Sequence, residues 1–282
     1  MTNYNESSED REGSGGAAPG RAESGENPAE FGAGAGGPRP SDADLFLSPH
    51  SDDVCFSLGD LAARRGAGTL LTVYSRSRHI AGPAAKAASV DEVTARRLAE
   101  DAAFAAACNL AVEDLELSEA PLRGHRPFEL DGLAREVETL EPLLLDRIRG
   151  LAARRKPPDR PWLFCPGGIG GHLDHAAIMT AIARNLDKLQ AIYWVCFYEE
   201  LPYASSVLTR SIGLRRLAQT LPQFTLTRRH WEMTDDGKRK LDLVRLYASQ
   251  FAAPPAHIAP FSPALYLAHA PHESVWTVQR RS

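Results

Sequence analysis

From residue 43 onward the chain alternates short apolar runs with longer stretches in which apolar residues return every three or four positions. The first run, residues 43–48, holds Leu45, Phe46 and Leu47, stops at Pro49 and reads as a strand. Residues 58–65 carry Leu58, Leu61 and Ala62 at helical spacing and are closed by Gly66 and Gly68. Residues 69–74 are rich in β-branched side chains and almost continuously apolar, the pattern of a parallel strand buried on both faces. Strand, helix and strand within about thirty residues make a βαβ unit. The alternation continues with helices at 90–108, 133–151 and 176–189, a weak strand at 115–117, and buried-strand candidates at 162–165 and 192–198. Beyond residue 204 the signal is less regular: helices at 214–220 and 237–251 bracket a short strand at 224–227, and a Pro-rich loop precedes the terminal segment. The expected fold class is α/β, a single-domain, Rossmann-like, mostly parallel sheet flanked by helices.

Residues 1–42 break the pattern. They are Gly, Ser, Glu and Pro with almost no large apolar side chain, a composition that cannot bury enough surface to offset the entropy of ordering. The expectation is a disordered tail at 1–42 and one domain at 43–282. Residues 1–40 also carry the protein's entire net charge of −4, since the 29 basic and 29 acidic residues beyond residue 40 balance. A balanced body argues against a protein whose first task is gripping nucleic acid. No apolar run is long enough to span a bilayer and the N-terminus has no secretory pattern. Cys55, Cys108, Cys165 and Cys196 are widely spaced among apolar neighbours. They are expected as buried thiols in a cytoplasmic protein.

Ligands of open α/β sheets bind outside the carboxyl ends of the strands, so the polar residues directly after a strand are where chemistry is sought. Two segments qualify. Ser48-Pro49-His50-Ser51-Asp52-Asp53 follows the first strand, and a glycine-rich run ending in Gly171-His172-Leu173-Asp174-His175 follows the strand at 162–165. A catalytic zinc takes three ligands from His, Asp or Glu and keeps a position open. His50, Asp53 and His175 can supply those three, Asp52 can take a proton, and His172 can stabilise charge on a substrate oxygen. The same residues also read as a helix cap with first-turn acids and an incidental H-x-x-H. The residues alone leave both readings open.

The two segments resemble the signature motifs H-P-D-D-E and H-P-D-H of the PIG-L/LmbE-like family of zinc-dependent N-acetylglucosaminyl deacetylases. Arg97-x-x-Glu100-Asp101 resembles that family's R-x-x-E, and Tyr247-x-Ser249-Gln250 its late S-Q element. The segment 197–204 is similar to a Y-E-D-L-P-Y-A stretch in a bacterial subgroup linked to glycan or natural-product assembly. The resemblance covers about residues 44–276. It implies an LmbE-like fold with its metal site at the C-terminal edge of the strands. It implies His50, Asp53 and His175 as zinc ligands, Asp52 as general base, His172 as electrostatic or acid partner and Asp174 as the group that tunes His172. Arg97 is implied as a contact to the sugar or its phosphate, with an ion pair to a helix or loop acid as the other reading. Three positions depart from the family pattern: Ser51 and Leu173 replace prolines and Val54 a glutamate. Gly170 stands where some relatives carry a tyrosine near the oxyanion.

Tyr198 is expected to bind substrate, and with Glu199, Glu200 and Tyr203 to rim the pocket, although packing of the tyrosines in the core is the other reading. His79, His125, His230, His257, His269 and His272 are expected in surface or structural roles. The expected function is hydrolysis of the acetamide of an N-acetyl amino sugar or its conjugate. The cofactor is Zn2+, or Fe2+, since two imidazoles and a carboxylate accept either. The partner is a small molecule, with no nucleic acid and no membrane span. The alternatives are a metal-dependent hydrolase of another amide or a phosphoester, and a non-catalytic sugar-binding protein that keeps the metal.

Overall fold

The computed structural model describes residues 41–81, 88–154, 160–264 and 270–281. The expectations for residues 1–40 and for His269 lie outside the described residues. Among the described residues there are seven strands: β1 (Leu45–Ser48), β2 (Thr69–Thr72), β3 (Ala111–Asp114), β4 (Trp162–Pro166), β5 (Trp194–Tyr198), β6 (Phe224–Glu232) and β7 (His272–Arg280). Between them lie helices α1 (Asp53–Arg65), α2 (Val90–Cys108), α3 (Leu133–Arg154), α4 (Leu173–Arg184), α5 (Leu186–Gln190), α6 (Val207–Thr220) and α7 (Lys238–Val244).

The strands form one sheet in the order β3-β2-β1-β4-β5-β7-β6. The first five run parallel, whereas β7 pairs antiparallel with β5 and β6 antiparallel with β7. Side chains alternate between two cores, as the pleat requires. Leu45, Leu47, Leu163 and Cys165 meet Val137, Leu144, Ile178 and Ile182 of α3 and α4 on one face. Phe46, Leu70 and Phe164 meet Leu58, Leu61, Phe104 and Val244 of α1, α2 and α7 on the other. Phe46 and Phe164 stack at 4.6 Å between ring centroids, each fully buried, and each such burial stabilises by roughly 1.5–3 kcal/mol.

From β1 the chain steps outward through β2 to β3, then returns to place β4 on the other side of β1. The strand order therefore reverses between β1 and β4, and a crevice opens there at the carboxyl edge. Both polar segments found in the sequence leave the sheet at this point, which is where the fold was expected to hold a site.

Several elements differ from expectation: the helix read at 237–251 ends at Val244, the strand read at 224–227 runs on to Glu232, the helix read at 214–220 begins at Val207, and three further differences have a clear cause. The third strand is Ala111–Asp114, with Leu115 and Leu117 just beyond it. As an edge strand it leaves Val112 exposed, so it lacks the apolar run that marks the inner strands. The terminal segment is a full strand, β7, whose Glu273 and Ser274 are buried by neighbours rather than by their own character. The helix expected at 176–189 begins at Leu173 and gives way at Asn185 to the short α5.

Helix α1 is broken at Leu58, where φ is −131°. The amides freed beyond the break are taken by one side chain: Asp60 and Leu61 donate to the two oxygens of Glu273 at 2.9 and 2.8 Å. Lys240 neutralises that carboxylate at 2.9 Å, both side chains being fully buried.

Candidate active site

The loop after β1 is wound tight by its own side chains. Ser48 Oγ donates to the His50 carbonyl at 2.6 Å and accepts the Val54 amide at 3.2 Å. Asp53 Oδ2 accepts the His50 amide at 2.8 Å. Between them Asp52 sits at φ 127°, a left-handed region that costs a non-glycine residue on the order of 1–3 kcal/mol. Arg97 of α2 secures the turn. Its Nη2 donates to the Ser51 carbonyl at 2.6 Å and to Asp52 Oδ1 at 3.2 Å, while Nη1 donates to Ser77 Oγ at 2.8 Å. Of the two roles read for Arg97, the ion pair with a loop acid is the one this geometry serves.

The loop after β4 delivers His172 as the N-terminal cap of α4, its Nδ1 accepting the Asp174 amide at 3.2 Å. With Nδ1 occupied as an acceptor, a neutral His172 carries its proton on Nε2. His175 lies one turn into the helix. Glu200 braces the loop by accepting the Gly168 and Ile169 amides at 2.6 and 3.1 Å.

The two loops meet. His50 Nδ1 and Asp53 Oδ2 are 3.3 Å apart, Asp53 Oδ2 and His175 Nε2 3.2 Å, and His175 Nε2 and His50 Nδ1 3.3 Å. Ligands bound tetrahedrally at zinc–nitrogen and zinc–oxygen distances lie about 3.3 Å from one another. The three atoms thus have the spacing of one face of such a site. His172 adds a fourth group, because one ring nitrogen from each of His50, His172 and His175 falls within a 4.8 Å cluster able to hold a metal ion.

The electrostatics fit a cation as well. Burial opposes charge on His50, but Asp174 and Asp53 overcome it and lift its pKa to about 9. Burial likewise opposes charge on His175, and Asp53 with Glu200 raises it to about 10. Burial pushes Asp53 up, yet His175 and His50 hold it well below the usual carboxylate range. Carboxylates packed this closely call for positive charge between them, which a divalent ion supplies. Asp52 is different: burial raises it to about 7, with Arg97 pulling the other way. Burial and the neighbouring imidazoles lower His172 to about 3.

A cavity of about 240 Å3 opens over this cluster, lined among others by His50, Asp52, Asp53, Arg97 and His172. Two expectations are corrected here. Tyr198 is fully buried and donates to the Leu47 carbonyl at 2.8 Å, so it packs beneath the site and cannot bind substrate. Being on β5, it points into the core covered by α1 and α7. The carboxylate of Asp174 serves His50, not His172: its Oδ2 is 2.9 Å from His50 Nε2 but 3.9 Å from His172 Nδ1. Asp174 is fixed in turn by the Ala120 amide at 2.9 Å and Arg123 at 2.7 Å.

Several lining residues escaped the sequence reading. Phe128, Pro121, Pro127 and Glu119 border the cavity, as do Gln250 of the S-Q element and His79, which was expected at the same sheet edge, with a solvated basic loop preferred to a contact with an anionic substrate. Gln250 is carried there by Ser249, whose amide and hydroxyl both bond Glu100, so the resembling R-x-x-E and S-Q elements are joined in space. Tyr203 takes the place left by Gly170: a Cβ at Gly170, where φ is 96°, would lie 2.5 Å from the Tyr203 ring. The signal was present in the glycine itself, but nothing in the chain said which ring would fill its space.

No protein-family model matches the chain. It is 31% identical over 169 residues to 2'-N-acetylparomamine deacetylase of Streptomyces fradiae, a match spanning 57% of this chain and 57% of that enzyme. Among solved structures, it superposes on the zinc-inhibited form of teicoplanin deacetylase with a TM-score of 0.58 at 21% identity, covering 84% of this chain and 98% of that one. The A40926 pseudoaglycone deacetylase superposes with a TM-score of 0.57 at 19% identity, covering 84% of this chain and 97% of that one.

The fold is that of these two deacetylases.

The likeness to the PIG-L/LmbE-like family, read from the two loops, is what these relatives bear out. The curated relative aligns with the chain over a little more than half of its own length, 57%.

Proposed function

We propose that the protein is a metal-dependent hydrolase that removes the acetyl group from an N-acetyl amino sugar or its conjugate. The observation that carries this reading is the triangle of His50 Nδ1, Asp53 Oδ2 and His175 Nε2, with sides of 3.2–3.3 Å, beneath a cavity lined by Asp52 and His172. The name of the relative, 2'-N-acetylparomamine deacetylase, supports the acetamide of an amino sugar as the bond attacked.

His50, Asp53 and His175 would hold the ion, with zinc favoured and iron accepted by the same donors. When bound, such an ion polarises an acetamide carbonyl and acidifies water. Asp52 takes the proton of the attacking water, a task suited by a pKa near 7. His172 donates from Nε2 to the carbonyl oxygen as negative charge develops there. The C–N bond then breaks, the amine leaves with a proton from Asp52 or His172, and acetate remains. Arg97 keeps Asp52 in its strained turn. Among the described residues no helix is long and apolar enough to cross a membrane.

The test is metal analysis of the purified protein, followed by acetate release from a panel of N-acetylhexosamine conjugates before and after chelation. Stoichiometric zinc or iron, and release abolished by chelation and restored by metal, are expected. Acetate release indifferent to chelation, or cleavage of phosphoesters in place of amides, would overturn the reading.

A further inference from the structure

The cavity has two unlike walls, because β2 leaves the sheet on one side of β1 and β4 on the other. Toward β2 the lining is polar, with Arg97, Glu119, His79 and Gln250. Ser77 ties three of these together: its hydroxyl accepts the His79 amide at 2.9 Å and Arg97 Nη1 at 2.8 Å, and donates to Glu119 at 2.8 Å. Toward β4 the lining is aromatic. Phe128 stands edge-on to His172 at 5.4 Å and to Tyr203 at 6.3 Å between ring centroids.

Phe128 is 60% exposed, so its ring contributes little to the core. Yet it is not free to wander. The carbonyl of Pro127 accepts the Leu173 amide at 2.6 Å, which fastens the residue before Phe128 to the residue after His172. A large apolar ring is thus held open to solvent at a set distance from a reacting group.

The geometry points to Phe128 as the platform on which the sugar ring of the substrate rests. A pyranose presents C–H groups on its faces and hydroxyls around its rim, matching one wall of each kind. With the acetamide beside His172, one ring face lies on Phe128 and the hydroxyls meet the polar wall. The cavity, at about 240 Å3, is smaller than the roughly 300–1,000 Å3 of pockets for drug-sized ligands. It has room for one sugar ring, so the rest of a conjugate lies outside it. This inference rests on the deacetylase reading for the position of the acetamide.

The test uses the full chain loaded with zinc, as wild type, Phe128→Ala and Phe128→Trp. Binding of methyl 2-acetamido-2-deoxyglucopyranoside and of acetate is measured by calorimetry, and acetate release from the glycoside is followed in parallel. Phe128→Ala should weaken glycoside binding roughly tenfold, leave acetate binding and zinc content unchanged, and be rescued by Phe128→Trp. Glycoside binding unchanged in Phe128→Ala, absent from wild type, or lost together with acetate binding would overturn the platform. Glycoside binding that depends on Phe128, with no acetate released by wild type, would uphold the platform and refute the deacetylase reading instead.

Discussion

His50 Nε2 lies 2.9 Å from Asp174 Oδ2, across 124 residues of chain. The bond turns the other ring nitrogen, Nδ1, toward Asp53 and His175, so the carboxylate decides which atom of His50 is offered to a cation. Outer partners of this kind fix the tautomer and orientation of a ligating imidazole and raise its basicity. Arg123 and the Ala120 amide hold Asp174 still, and Glu200 stands 3.5 Å from His175 Nδ1 in the corresponding place.

Replacing Asp174 by Asn should therefore weaken zinc binding by about 10- to 100-fold while the fold persists. Titration against a chromophoric chelator reads this directly. Unchanged affinity with altered turnover would mean that Asp174 acts on His172 after all.

Asp52 occupies the cavity without belonging to the donor triangle. Asp52→Ala should keep the metal and lose about 10²- to 10⁴-fold in turnover, the span typical of a missing general base. Metal content and the rate of acetate release, measured on the same preparation, separate this from a ligand. Loss of the ion would reassign Asp52 to the donor set.

Gly170 and Tyr203 share one space, since a Cβ on the glycine would meet the ring at 2.5 Å. Gly170→Ala should cost about 1–3 kcal/mol by displacing the ring. Combined with Tyr203→Ala, the two changes should destabilise less than the sum of the singles, by at least about 0.5 kcal/mol. Strictly additive melting data would show that the two sites do not touch.

The buried pair of Lys240 and Glu273 makes a separate stability prediction. Lys240→Met leaves a charge stranded in the core and should cost about 3–5 kcal/mol in urea unfolding. Adding Glu273→Leu should recover only part of this. The amides of Asp60 and Leu61 would then lack an acceptor, at about 1–3 kcal/mol each for an unsatisfied buried group. Full recovery would show that the carboxylate is not needed to cap the broken helix.

Glu199 supplies a pH dependence. Burial raises its pKa, but Arg210 and Arg228 outweigh this and hold it below the ordinary 4.5. A carboxyl whose folded value is depressed stabilises above its unfolded value and loses that contribution as pH falls through the folded one. The melting temperatures of wild type and Glu199→Gln should differ most at neutral pH and converge below pH 4.5. A gap that persists into acid would mean that the difference is packing, not charge.

Much of this molecule was legible in the chain. The apolar runs of β1, β2, β4 and β5 announced a buried parallel sheet, because inner strands covered on both faces can hardly be polar. The polar clusters that follow β1 and β4 marked the site, because the carboxyl edge is where such sheets leave room. Elements whose burial depends on neighbours were harder to read: β3 is an edge strand with exposed Val112, and β7 buries Glu273 only because Lys240 and α1 surround it.

The sequence by itself determined the fold class, the two loops and the residue types able to hold a metal, since these follow from local pattern and chemistry. Only the tertiary structure decided the pairings: Asp174 with His50 rather than His172, Tyr198 into the core, Tyr203 over Gly170, and Phe128 beside the cavity. Each depends on how segments far apart in the chain approach across the sheet edge. Distance and direction there are set by the packing of whole elements, which no local run of residues encodes.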